Sequence, residues 1–433
     1  MREFRPVLQF RRARRTVPRD SLNIRRKRGT MSRGTLRDET WLKGYALLAA
    51  LLGVFFITSA SLPDTGGALL RGPGVKQLLW VVIASVAFLV LRRLPSEWVR
   101  RSVLPFFMLV FVLCVWVLIH PSAISANGAS RWLAVGPVQI QPGELAKPAV
   151  VLAFAWFLAL PWPRMEKVRP RDRFVNWVVR LVLPLLILGS LFVLIEREPD
   201  LGTAVFALAI PFGMLLAGGA RRLYGRYAVR VVGAIVALAI VAGVFFTLAE
   251  PYRVQRLATF RDTASRDAIE GASYQPFLSQ TAIALGGVTG LGVGRGHAKY
   301  LLPAATTDYI YTTIAEEIGI FGFLLVTWLL GSIFVLLIRI GVNQREAFHR
   351  YVAFGVAWWI AVQALGNLLM VTGVAPSIGI PLPFFSYGGS SLLSLAIGLG
   401  SVCALIKEPS RKEVPVAARS DRWGYGRTRL SRT

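Results

Sequence analysis

The sequence predicts an all-α integral membrane protein, a bundle of about ten transmembrane helices with one large extracytoplasmic loop between spans 7 and 8. Three observations predict it. Hydrophobic residues make up 54% of the 433 and charged ones only 17%, where soluble domains hold about a quarter. The apolar residues fall in blocks long enough to cross a bilayer. The short segments between blocks alternate between Arg-rich and Arg-poor, the pattern that membrane insertion imposes. A formal charge of +27 would suit a nucleic-acid partner. Its placement in loops between apolar blocks excludes that class and points to anionic lipid instead.

Residues 1–42 form a basic tail, with Arg25, Arg26, Lys27 and Arg28 at its centre, and are expected to be disordered beside the cytoplasmic leaflet. Met31 offers an alternative start. No cleavable signal peptide is legible, since the first apolar block has full spanning length. Spans are expected near 43–61, 75–91, 102–119, 144–162, 174–195, 200–219, 227–248, 310–338, 352–373 and 386–406, with a second basic tail over 407–433. One set of connections carries Arg92, Arg93, Arg100 and Arg101, then Arg164 to Arg173, Arg221 to Arg230, and Arg339 to Arg350. The opposite set is nearly free of Lys and Arg in its short loops, so both termini are expected in the cytoplasm. The long connection, 249–309, then lies outside, and an active site is expected on that face. Cys114 and Cys403 sit within apolar blocks and read as small hydrophobes rather than a disulfide or metal pair.

Four polar segments interrupt this pattern. The first runs from Asn127-Gly-Ala-Ser-Arg-Trp132 to Gln141-Pro-Gly-Glu-Leu-Ala-Lys147. Glu144 and Lys147 stand three apart and share a helix face, where an ion pair either locks the helix or serves chemistry. The second, Glu198-Pro-Asp-Leu-Gly-Thr203, places Asp200 where it can act in the site or simply cap the next helix. The long loop is the third. Its Arg253, Arg256 and Arg261 can grip phosphate or touch lipid headgroups. Tyr274-Gln275, the glycines from Gly286 to Gly296, and Lys299 to Asp308 follow. Asp308 stands at the mouth of a span beside Thr306 and Thr307, placed to act as a general base or as an N-cap. Glu316 and Glu317 lie two turns deeper, and adjacent residues cannot both face the core squarely, so at least one should have a structural partner. The fourth is Gly373-Val-Ala-Pro376 through Gly379-Ile-Pro-Leu-Pro-Phe-Phe-Ser-Tyr-Gly-Gly-Ser-Ser391. Its prolines forbid a regular helix, and broken backbone at membrane depth is tolerated only inside protein or along a cavity.

Taken in order, Gly128 to Trp132, Gln141 to Lys147, Pro199 to Thr203, Tyr274-Gln275, Leu302 to Asp308, Glu316-Glu-Ile-Gly319 and Pro381 to Ser390 resemble the SEDS family (shape, elongation, division and sporulation), whose members include FtsW and RodA. The likeness runs over about 43–406 and leans to the division branch, FtsW-like. It implies a peptidoglycan glycosyltransferase that polymerises lipid II on the outer face of the bacterial cytoplasmic membrane. Asp308 matches the family's essential aspartate. The resemblance also implies substrate-binding roles for Arg131, Glu144, Lys147, Asp200, Arg253, Arg256, Tyr274, Gln275, Lys299, Ser386 and Ser390. A divalent cation, Mg or Mn, is an expected helper for the leaving pyrophosphate. The expected partners are a class B penicillin-binding protein and other division or elongation membrane proteins. Three positions depart from the family pattern: Gly143 replaces a serine, Glu198 a glutamine, and Pro303-Ala-Ala-Thr-Thr-Asp308 lacks the usual Glu and His. Two other classes compete, a lipid II flippase and a non-catalytic scaffold for a transpeptidase. The crowding of polar groups at the outer side favours chemistry over transport, and intramembrane charges are not needed by a scaffold.

Overall fold

Helices account for most of the computed structural model, which describes residues 33–65, 72–119, 124–126, 129–135, 138–163, 165–198, 201–248, 274–377 and 379–406. The chain runs α1 (Arg33–Ala60), α2 (Pro73–Arg93), α3 (Ser96–Ile119), three short strands, α4 (Pro142–Ala159), α5 (Pro170–Arg197), α6 (Leu201–Met214), α7 (Ala228–Leu248), α8 (Tyr274–Gly286), α9 (Ile310–Ile318), α10 (Ile320–Asn343), α11 (Ala347–Val371) and α12 (Gly389–Ile406). All but Arg33 of these residues belong to one compact unit, Gly34–Lys407.

Nine helical stretches among the described residues are long and apolar enough to cross a membrane. The longest, Gly202–Ala239, has 38 residues. As one helix it would measure about 57 Å, nearly twice the roughly 30 Å of a hydrocarbon core. It is broken where Gly218 takes φ 104° and Gly225 φ 56°, and so holds portions of two expected spans. The expected eighth span is likewise jointed, at Gly319 with φ 67°, into α9 and α10. The protein is a helical integral membrane bundle. Leu79, Val82, Leu104, Val112 and Leu186 stand exposed on α2, α3 and α5, a surface that only lipid would cover.

The core forms around α4 and α12. Helix α4 packs against α3, α6, α11 and α12, and α12 lies along α2. Small residues permit this closeness: a Cβ on Gly389 would strike the Trp80 ring, and one on Gly355 would come within 2.8 Å of Val151.

Three expectations are corrected. The first helix begins at Arg33, ten residues before 43, so 33–42 is helical. Glu39 is buried there between Lys43 (3.2 Å) and Arg92 (3.1 Å), which anchors the extra turns. The linker over 124–140 contains an antiparallel meander, β1 (Ile124–Ala126), β2 (Ala129–Val135) and β3 (Val138–Ile140). The expected long loop contains α8, whose Pro276 sits in the first turn, where its missing N–H has no helical partner to lose. The first part of that loop, 249–273, and the tails 1–32 and 407–433 lie outside the described residues.

Candidate active site

The site is built by an irregular stretch between α11 and α12. Pro376, Pro381 and Pro383 remove backbone donors. Gly379 at φ 67° and Phe384 at φ 68° turn the chain through the left-handed region. Phe384 is a non-glycine residue in that region, held there by its surroundings: its carbonyl oxygen lies so close to α1 that a Cβ on Gly53 would sit 2.3 Å from it. Side chains replace the lost ladder. Gln363 Nε2 donates to Pro381 O (2.8 Å) and Asn367 Nδ2 to Ile380 O (2.6 Å). On the far side Gln77 Nε2 donates to Ser386 O (3.3 Å), while Gly388 N donates to Gln77 Oε1 (3.2 Å). Irregular backbone is thus satisfied inside protein, as the bilayer requires.

This stretch grips the segment that carries Asp308. Tyr387 N donates to Thr306 O (2.9 Å), Ser386 Oγ to Thr307 O (2.6 Å), and Asn367 Nδ2 to Asp308 O (2.7 Å). Three consecutive carbonyls are therefore fixed, and Asp308 itself is half-buried. A Cβ on Gly379 would come within 3.4 Å of Asp308 Oδ2. Tyr309, next in sequence, donates its hydroxyl to Ser377 Oγ (3.0 Å).

Glu144 and Lys147 occupy the first turns of α4, as the spacing predicts, with Nζ 2.6 Å from Oε1. Lys147 Nζ also reaches Gln363 Oε1 (3.3 Å), which accepts from Trp359 Nε1 (2.7 Å). The carboxylate sits favourably at the helix N-terminus. The start of α4 is fixed by Gln141 N donating to Ser390 Oγ (2.9 Å).

The remaining expected residues divide. Arg131, on β2, donates Nε to Glu198 O (2.8 Å). Tyr274 and Gln275 open α8 and are half-buried. Ser386 and Ser390 are buried, and their hydroxyls are engaged by the protein's own backbone. Lys299 is likewise engaged within the protein. Its ammonium lies 2.9 Å from Glu317 Oε1, both side chains 0% exposed, and also donates to Gly294 O. Ser59 Oγ completes this knot on Glu317 (2.8 Å), and Glu316 accepts from the backbone N–H groups of His297 and Ala298. Both glutamates therefore have structural partners, and together they moor the glycine-rich strap. Asp200, Arg253 and Arg256 lie outside the described residues. Among the described residues no group of three or more His, Cys, Asp or Glu gathers to hold a metal.

Gln77, Gln363 and Asn367 were not singled out by sequence reasoning, yet each is buried at the heart of the site. Their signal was available: amide side chains inside spans are rare and need a partner.

The family of cell cycle proteins that comprises FtsW, RodA and SpoVE matches residues 39–411. The chain belongs to this family, SEDS. A relative from Allochromatium vinosum, named probable peptidoglycan glycosyltransferase FtsW, is 33% identical over 84% of this chain and 88% of its own length. A solved chain from work on the structural coordination of polymerization and crosslinking by a peptidoglycan synthase complex superposes with a TM-score of 0.66. It is 25% identical and covers 84% of this chain and 96% of that one. The Thermus thermophilus rod shape determining protein RodA shares the fold, with a TM-score of 0.60, 23% identity and coverage of 85% and 96%. As a SEDS protein the chain is a multi-pass protein of the bacterial inner membrane. Two of its departures from the SEDS pattern meet in space. A Cβ on Gly143 would lie 3.4 Å from Thr203 Cγ2 and 3.9 Å from Glu198 Oε2. A glycine at 143 thus leaves room beside the carboxylate that stands at 198.

Proposed function

We propose that the chain is a peptidoglycan glycosyltransferase of the FtsW kind, polymerising lipid II on the outer face of the membrane with Asp308 as general base. The observation that carries this reading is the clamp on three successive carbonyls, which fixes the Asp308 backbone at a residue that is only half-buried. Pre-set placement of a base is worth several orders of magnitude in rate.

In the reaction, the 4-hydroxyl of an acceptor sugar attacks the anomeric carbon of a donor. Its proton passes to Asp308, the new glycosidic bond forms, and the bond from the anomeric carbon to the pyrophosphate oxygen breaks with its electron pair. Undecaprenyl pyrophosphate departs. Arginines supply charge to it; Arg131 is the described candidate, with Arg253 and Arg256 in the long loop. Among the described residues no cluster of three or more carboxylates, histidines or cysteines forms a cage for Mg or Mn. Glu144 and Lys147 line the inner part of the same polar cluster. Both termini lie in the cytoplasm, and a class B penicillin-binding protein crosslinks the product strand.

The test is conversion of purified lipid II into glycan polymer by the detergent-solubilised protein with its transpeptidase partner. Polymer supports the reading. No polymer, together with translocation of labelled lipid II across vesicles holding the protein, would favour the flippase.

A further inference from the structure

We infer that Asn367 is a positioning residue for the base: its carboxamide sets the backbone of Asp308 and couples it, through Gln363, to the Glu144–Lys147 pair. The inference rests on the reading of Asp308 given above. Asn367 lies on α11, 0% exposed, and spends both amide hydrogens on carbonyls from separate irregular segments, Asp308 O at 2.7 Å and Ile380 O at 2.6 Å. Both acceptors are carbonyl oxygens, so the nitrogen must face them; a flipped amide would set oxygen against oxygen. The Oδ1 atom is buried with no hydrogen-bond partner among the described residues. Leaving a buried acceptor unpaired is unfavourable. A residue selected for packing alone would be apolar here, so the two donated bonds are what the position demands.

One helical turn earlier, Gln363 performs the matching task on the same irregular stretch. It donates to Pro381 O while its oxygen accepts from Lys147 Nζ. A continuous hydrogen-bonded path therefore links Glu144, Lys147, Gln363, the Ile380–Pro381 backbone, Asn367 and Asp308. Asn367 does not touch the reacting atoms; it acts through the Asp308 backbone. Loss of its donors should misplace the carboxylate while leaving lipid II binding in place.

The experiment compares Asn367→Leu, which removes both donors, and Asn367→Ser, which keeps one, with wild type, in complex with the transpeptidase partner. Turnover, the apparent lipid II dissociation constant, the acid limb of the pH–rate profile and thermal stability are measured for each. Val356→Ala, a core truncation on the same helix, serves as a stability-matched control. The expected result is a graded fall in turnover, at least about tenfold for Asn367→Leu, with affinity within about threefold and the acid limb displaced. Val356→Ala should keep wild-type turnover. If Asn367→Leu does not fold, the Ser variant carries the test alone. Turnover within twofold of wild type, a fall that follows affinity, an unmoved acid limb, or an equal fall in Val356→Ala would each overturn the inference. An Asp308→Ala protein as active as wild type would instead overturn the base itself, and this inference with it. An inactive Asp308→Ala beside an unaffected Asn367→Leu overturns the inference alone.

Discussion

Replacing Lys147 by Met removes the ammonium that sits 2.6 Å from Glu144 while keeping a flexible chain of similar volume. The side chains of Lys147 and Glu144 are 1% and 5% exposed, and Glu144 Oε2 is already buried without a hydrogen-bond partner among the described residues. The surviving carboxylate would have neither water nor a cation. Breaking a buried pair from one side costs about 3–5 kcal/mol, whereas replacing both partners by neutral groups of like volume is often close to neutral. Lys147→Met should therefore lower the free energy of unfolding, measured by SDS titration in mixed micelles, by about 3–5 kcal/mol. The double variant Glu144→Gln, Lys147→Met should recover most of it. A single variant within about 1 kcal/mol of wild type, or a double variant no better than the single, would refute the claim that the pair is desolvated and mutually dependent. The double variant also resolves the two roles open to the pair. Wild-type polymerisation by it assigns the pair to helix locking; stable but inactive protein assigns it to chemistry.

Gly379→Ala should reduce polymerisation with folding retained. It forces a side chain to φ 67° and sets a methyl 3.4 Å from Asp308 Oδ2, a strain of about 1–2 kcal/mol before any shift of the carboxylate. Lys299→Met should destabilise by about 3–5 kcal/mol, and Glu317→Gln combined with it should restore most of that, since neither group has water within reach; unfolding titrations check both. Gly53→Ala places a methyl 2.3 Å from Phe384 O, so α1 must move away from the irregular stretch. Lower thermal stability and lower turnover are expected together.

The bundle was legible because bilayer thickness dictates block length. The paired spacing of Glu144 and Lys147, and the prolines of 376–383, were legible for the same reason: each breaks a rule that membrane segments otherwise keep. Other features were not, for identifiable reasons. Residues 33–42 follow directly on a basic run and are themselves polar, and the tertiary contact of Glu39 with Arg92 shows what holds them as helix. The meander could have been read from Arg131-Trp-Leu-Ala-Val-Gly-Pro-Val-Gln-Ile140, two apolar runs on either side of a Gly-Pro pair, but its strands are too short for periodicity to speak. Lys299 reads as a free cation next to a glycine-rich segment; its commitment to Glu317, eighteen residues on, depends on how the strap folds back. Asn367 and Gln363 are marked as amides one turn apart in an apolar span, but what they hold is backbone, which carries no sequence mark.

The most direct test of the account is glycan polymerisation from purified lipid II by the wild-type protein and by Asp308→Ala, each with its transpeptidase partner and each shown to be folded. The account predicts polymer from the wild type and none from the variant. Equal polymer from both would contradict it, because the clamp on Thr306, Thr307 and Asp308 would then be holding a carboxylate that the reaction does not use.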